Sequence, residues 1–199
     1  MSKEDIHLER RGAVAVLTLD RPRRQNTFND RMFESLERVT RELKAHLPRA
    51  IVITGAGDKA FCAGFDIQPD NPLSSGLIDA VDKKHQGPAR ELILYIRKLV
   101  DGFVALPVPI IAAINGLAYG GGAELSVRCD LRVMEPAAVI CFSEVRLGLM
   151  PDWGGGAALA HLIGPSRAAD MLLTARRVQA GEAINLGLVN PDQPAGRVP

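Results

Sequence analysis

The sequence predicts an α/β fold with a largely parallel core. Short apolar, β-branched runs at 13–20, 50–55 and 109–116 read as strands, and amphipathic stretches at 29–47 and 88–106 read as helices. The two kinds of element alternate along the chain, which stacks helices on a sheet whose strands mostly run the same way.

Each element has its own local reason. The run "AVAVLTLD" (13–20) alternates in the manner of a half-buried strand. In 29–47, Met32, Phe33, Leu36, Val39, Leu43 and Leu47 recur at helical spacing with charges between them, and Asn29 or Asp30 is placed to cap the helix. "AIVITG" (50–55) is a short apolar run of the kind covered on both faces. The stretch 56–86 is rich in Gly, Asp, Ser and Pro and reads as a long loop and polar segment. The helix at 88–106 starts on Pro88, and "PIIAAING" (109–116) is another buried strand. A glycine run and a helix to about residue 129 follow, then short strands near 131–134 and 139–142, then helices near 155–163, 166–174 and 180–186. The end, 191–199, is Pro-rich, polar and irregular.

Composition narrows the function classes. With 199 residues, 47% of them hydrophobic, the chain suits one domain with a sizeable core. A formal charge of +1 gives no field to recruit nucleic acid or an anionic membrane. The three cysteines, Cys62, Cys129 and Cys141, form no CxxC pair, which fits reduced thiols in a cytoplasmic compartment. The charged N-terminal "MSKEDIHLERRG" has no apolar region of a secretory signal, and no run approaches bilayer-spanning length. His7, His46, His85 and His161 are scattered, so neither a metal nor a redox cofactor is expected.

Three clusters carry chemistry. Gly120, Gly121 and Gly122 stand between a strand and a helix, where free N–H groups and the helix dipole offer donors to an anion or a developing negative charge. The same run also serves as a tight turn. Glu124 follows, either a solvated first-turn acid or a buried carboxylate suited to acid–base work. Gly55 to Ala60 fits G-x-G-x-x-A, yet Cys62-Ala63-Gly64, Asp66 and Pro69 come where a dinucleotide fold needs a helix. That loop better suits an irregular strand exit presenting N–H groups near Gly64 and Phe65. The third cluster, "FSEVRLGLMPDWGGG", carries Glu144, Arg146, Asp152 and Trp153. Glu144 comes 20 residues after Glu124 with two short strands between, so a chain that turns back brings both acids to one pocket. Asp152, before three glycines, is also a fair N-cap. Met150, Trp153, Phe65 and Leu73 suit either an acyl pocket or the core.

Four segments, in order and spacing, resemble the crotonase family of enoyl-CoA hydratases and isomerases: "LDRPRRQNTFND", "ITGAGDKAFCAGFDI", "INGLAYGGGAELSVRCDLRV" and "FSEVRLGLMPDWGG". The resemblance runs from about residue 5 to about residue 190. It implies a crotonase-like ββα superhelix as one core domain over 1–190, with 191–199 as a tail. It implies an acyl-CoA thioester substrate, with coenzyme A as part of the substrate and no separate cofactor. The N–H groups of Phe65 and Gly121 then hold the thioester oxygen as it becomes an enolate, and Glu124 and Glu144 handle water. Phe65, Asp66, Ile67, Gln68 and Gly120 line the acyl-CoA site, with Arg24 near the CoA phosphates.

The implied activity is hydration of a 2-enoyl-CoA. Asp152, in its P-D context, stands where several family isomerases place a catalytic Asp, so Δ3-Δ2 or dienoyl isomerisation is the alternative. There are departures: Phe65 is bulky where many hydratases have Ala or Gly, and Cys141 stands where Gly is usual. Family members continue through C-terminal helices that cover the site and support trimers, and these have no counterpart before Pro199. A non-catalytic acyl-CoA-binding protein is therefore a third expectation. A homotrimer or dimer of trimers is expected only if the C-terminus permits it.

Overall fold

The computed structural model describes residues 5–191; of the tail assigned to 191–199, all but Pro191 lies outside them. A hairpin opens the chain, β1 (Ile6–Arg11) and β2 (Val14–Leu19), followed by a 3-10 turn (Pro22–Arg24) and α1 (Asp30–Ala45). Next come β3 (Ala50–Gly55), β4 (Ala60–Cys62), α2 (Pro72–Asp82) and α3 (Gln86–Val104). The chain continues through β5 (Ile110–Ile114), β6 (Leu117–Tyr119) and α4 (Gly121–Arg128), then β7 (Leu131–Met134), β8 (Val139–Cys141) and a 3-10 turn (Glu144–Leu147). It closes with α5 (Gly155–Ile163), α6 (Pro165–Thr174), β9 (Val178–Gln179) and α7 (Ala180–Asn185).

The strands form two sheets, ordered β1-β2-β3-β5-β7 and β4-β6-β8-β9. Pairing is parallel except at the two ends, β1 with β2 and β8 with β9. Each pass of the chain lays one strand in the first sheet, one in the second, then a helix: β3-β4-α2, β5-β6-α4, β7-β8-α5. An isolated parallel bridge between Phe28 and Phe65 extends the second sheet back to the first pass. This is the ββα superhelix that the resemblance implies.

Packing follows side-chain period. Ala15, Leu17 and Leu19 of β2 and Ile51 and Ile53 of β3 are buried in one core, under Met32, Phe33, Leu36, Val39 and Leu43 of α1. Asn29 caps α1 by accepting from the Met32 N–H at 3.0 Å. The helix ends at Ala45, so Leu47, read as part of it, lies outside and is half exposed.

Several elements differ from the sequence reading. Residues 6–11, left without an element, form an edge strand; only Ile6 is buried, so hydrophobic alternation is weak there. The strand expected over 109–116 is β5, and a second short strand that was not expected, β6, follows it after Asn115 and Gly116. Asn115 ties the ends of β3 and β5 together, accepting from the Gly55 N–H at 3.1 Å and donating to the Gly55 and Gly57 carbonyls. After the G-x-G-x-x-A run comes β4 and not a helix, which removes the dinucleotide reading. The segment read as loop holds α2: Asn71 accepts from the Leu73 N–H at 3.2 Å, with Pro72 at the first helical position.

Candidate active site

One cavity of about 570 Å³ opens between the second sheet, the 3-10 turn after β8 and helices α2 and α3. Every site residue read from the sequence lies on its wall: Glu124, Glu144, Asp152, Phe65, Gly121, Arg24, Asp66, Ile67, Gln68 and Gly120. Met150 and Trp153 join them, whereas Leu73 packs against the core instead. Sequence reasoning missed the wall supplied by Leu77 of α2 and by Leu92, Ile93 and Ile96 of α3. The i, i+1, i+4 spacing of Leu92, Ile93 and Ile96 was the signal for an apolar face there.

The end of β4 and the start of α4 meet at Gly64. This residue has φ +89°, and a Cβ on it would lie 2.8 Å from the Gly121 nitrogen. So close an approach sets the two loops edge to edge. Phe28 takes up the backbone groups either side of Phe65: its N–H donates to the Gly64 carbonyl and its carbonyl accepts from the Asp66 N–H. Among the described residues, neither the Phe65 N–H nor the Gly121 N–H has a hydrogen-bond partner. Gly121 must lack a side chain for a second reason, because a Cβ would lie 2.7 Å from the Trp153 indole. Trp153 is itself buried against Phe28 and Phe33, with ring centroids 5.3 and 5.5 Å away.

Glu124 is only 1% exposed, which decides between the two readings of its position: the carboxylate is buried. It accepts from the Asp152 N–H at 3.1 Å and the Gly155 N–H at 2.8 Å. Burial first, then the charges of Glu144 and Asp152, push it up to about 8 against the pull of the Gly155 N–H. Glu144 sits beside the glycine run; a Cβ on Gly120 would lie 3.8 Å from its Oε1. Both its carboxylate oxygens are buried without a hydrogen-bond partner, and burial raises it too, with Asp152 adding to the shift. Among the described residues the only other such side-chain atom is the Tyr119 hydroxyl, and Tyr119 also lines the cavity.

Asp152 is not a helix cap: α5 begins at Gly155 with Gly154 at the N-cap position. Its carboxyl lies at the cavity wall, raised by burial. Asp66 faces inward to a structural partner, accepting from Arg21 at 2.9 Å and from the Gln68 N–H at 3.2 Å. Arg24 pairs with Asp70 at 2.5 Å near the cavity mouth. Among the described residues, no group of His, Cys, Asp and Glu is placed to hold a metal ion. No described helix is long and apolar enough to cross a membrane.

The arrangement offers two unpartnered backbone donors, two mutually perturbing carboxylates and an apolar wall. Such a site suits removal or addition of a proton next to a carbonyl whose oxygen is held by the donors.

Comparison with known proteins gives a consistent result. The sequence matches the family described as enoyl-CoA hydratase/isomerase over residues 9–198. It is 37% identical over 191 residues to a crotonyl-CoA hydratase of Syntrophomonas wolfei, covering 96% of this chain and 69% of the relative. It is 34% identical over 191 residues to a short-chain-enoyl-CoA hydratase of Clostridium acetobutylicum, with the same shares covered. A crystal structure of an enoyl-CoA hydratase from Bacillus anthracis superposes with a TM-score of 0.79 at 34% identity, over 93% of this chain and 68% of that one. The chain thus spans about two thirds of the length of the curated relatives it matches, 64% for one from Bacillus subtilis. With the fold, the ordered motifs and the sequence match in agreement, this chain belongs to the enoyl-CoA hydratase/isomerase family.

Proposed function

We propose that the protein adds water across the 2,3 double bond of an acyl-CoA thioester. One observation carries the reading: Glu124 and Glu144 meet in a single cavity beside the unpartnered N–H groups of Phe65 and Gly121. The thioester oxygen accepts from those two N–H groups. As water attacks C3, negative charge gathers on that oxygen, and each aligned donor lowers the barrier by about 3 kcal/mol.

The two acids take opposite roles. They perturb each other, so they titrate as a pair that holds one proton across the neutral range. Two N–H bonds from the loop after the second 3-10 turn favour the anion of Glu124, while the carboxylate of Glu144 accepts no N–H bond from another residue. We assign the shared proton to Glu144, the shift to about 8 belonging to the pair and not to Glu124 alone. Glu124 takes a proton from the attacking water, and Glu144 delivers one to C2, which gives the 3-hydroxyacyl thioester. Base, acid and donors all come from the chain, so the chemistry needs no cofactor. A cytoplasmic setting fits the three buried free thiols.

The likeness to hydratases of short-chain and crotonyl substrates supports crotonyl-CoA as the first substrate to try. The reading predicts loss of the conjugated thioester absorbance with wild-type protein, and none with folded Glu124→Gln. Equal rates for the two proteins would remove it. A second reading, double-bond isomerisation, is favoured by Asp152, whose half-buried carboxyl lines the same cavity.

A further inference from the structure

Glu124 and Arg128 lie four residues apart on α4 and so share one face of the helix. Both reach the loop formed by residues 152 to 155, from opposite chemical sides. Glu124 accepts from its Asp152 and Gly155 N–H groups. Arg128 donates from Nη1 to the Trp153 carbonyl at 2.7 Å. Its other nitrogen, Nη2, meets Asp101 of α3 at 2.6 Å, and the same Asp101 oxygen accepts from Arg97 at 2.9 Å. Arg97 in turn lies against Gly154, where a Cβ would come 2.8 Å from its guanidinium carbon. Each residue of the loop is thus held: the Asp152 N–H, the Trp153 carbonyl, the face of Gly154 and the Gly155 N–H.

Arg128 is only 14% exposed in its side chain, so it has given up most of its water for these two bonds. A guanidinium can do so because its planar fork donates in two directions at once, whereas an ammonium serves as a single point of charge.

We propose that Arg128 is a positioning residue for Glu124: by holding the Trp153 carbonyl from an anchor on Asp101, it fixes the two N–H groups that orient the Glu124 carboxylate. The kinetic part of this inference rests on the hydratase reading; the structural part does not. The substrate meets Glu124, and Arg128 acts only through the loop.

The test compares the full chain with Arg128→Met, Arg128→Lys and Asp101→Asn. Thermal unfolding checks the fold. The emission of Trp153, the only tryptophan in the chain, and its quenching by acrylamide report on the loop. Turnover of crotonyl-CoA gives kcat and KM. The expected result for Arg128→Met is a cooperatively folded protein with red-shifted, more quenchable emission. Its kcat falls about 10- to 100-fold while KM stays within about threefold, the pattern of a misplaced catalytic group. Arg128→Lys recovers part of that loss. A folded Arg128→Met with wild-type emission, or with kcat within about threefold of wild type, overturns the proposal. So does Arg128→Lys that is no better than Arg128→Met. If Arg128→Met does not fold, Asp101→Asn decides: the same changes at smaller size support the anchor, and wild-type emission and kcat overturn it. If the wild-type protein turns over no enoyl-CoA, the hydratase reading fails separately, and emission alone settles whether Arg128 holds the loop.

Discussion

Replacing Gly64 with Ala puts one methyl carbon where the two backbone donors meet. At φ +89° an L-residue is strained by roughly 1–2 kcal/mol. The new Cβ would lie 2.8 Å from the Gly121 nitrogen and 2.9 Å from the Tyr119 carbonyl oxygen. Both neighbours are backbone atoms and cannot rotate aside, so the start of α4 or the end of β4 must shift by some tenths of an ångström. Overpacking of this kind costs about 1–3 kcal/mol. The sum, about 2–5 kcal/mol, is less than the stability of most domains, so the variant folds at reduced stability. Its kcat on crotonyl-CoA is expected to fall about 100- to 1,000-fold, the loss seen when one oxyanion donor is removed. Gly12→Ala is the control: φ is +60°, nothing lies within 4 Å, and the residue is on the exposed hairpin. It shares the backbone strain and leaves turnover unchanged. Urea unfolding followed by Trp153 emission measures the stability term, and spectrophotometric turnover measures the rest. A folded Gly64→Ala with kcat within about threefold of wild type refutes the claim that the Gly121 N–H is a working donor.

Three further outcomes follow from the same geometry. Burial raises Glu124 and Glu144 together, so from about pH 4.5 to about 8 the folded pair holds a proton that the unfolded chain has released, and the stability contributed by that proton is complete below about pH 4.5 and lost as pH rises through about 8. Urea unfolding of Glu124→Gln beside wild type should therefore move in favour of the variant by a few kcal/mol across that window; a gap independent of pH would count against the buried-acid account. Asp152→Asn keeps the backbone N–H that holds Glu124, so hydration should stay within about tenfold of wild type, while any migration of a 3,4 double bond to the 2,3 position falls by about 100-fold or more. Intact migration in that variant would remove Asp152 from the isomerase reading. Asp66→Asn keeps one acceptor oxygen but removes the charge 2.9 Å from the Arg21 guanidinium, which still donates to Thr27, and should lower stability by about 1–3 kcal/mol in urea titration. A change under about 1 kcal/mol would show that this pair does not hold the loop after β4.

Legibility in the sequence depended on how local the determining physics was. β2, α1 and β3 were plain because their buried residues recur at strand or helix period. α2 was not: Pro72, Ser74, Ser75 and Gly76 suggest loop, and the helix declares itself only through the cap and first-position pair Asn71-Pro72. β4 and β6 are three residues each, too short for any period to show, and exist because neighbouring strands pair with them. The site residues could be found because they sit in ordered motifs next to glycines whose need is geometric, Gly64 at positive φ and Gly121 under Trp153. Arg128 could not be found. Its partners are a backbone carbonyl 25 residues away and a carboxylate on another helix, and neither leaves a mark in the local sequence.

The central claim is that Glu144 supplies the proton at C2 while water adds at C3. The most direct measurement is NMR of the product formed from crotonyl-CoA in deuterium oxide, with wild type and Glu144→Gln side by side. The account predicts a 3-hydroxybutyryl thioester with one deuterium at C2 from the wild type, and at least about 100-fold less of it from the folded variant. Equal product from both proteins, or deuterium entering C4 with no hydroxyl at C3, would contradict it.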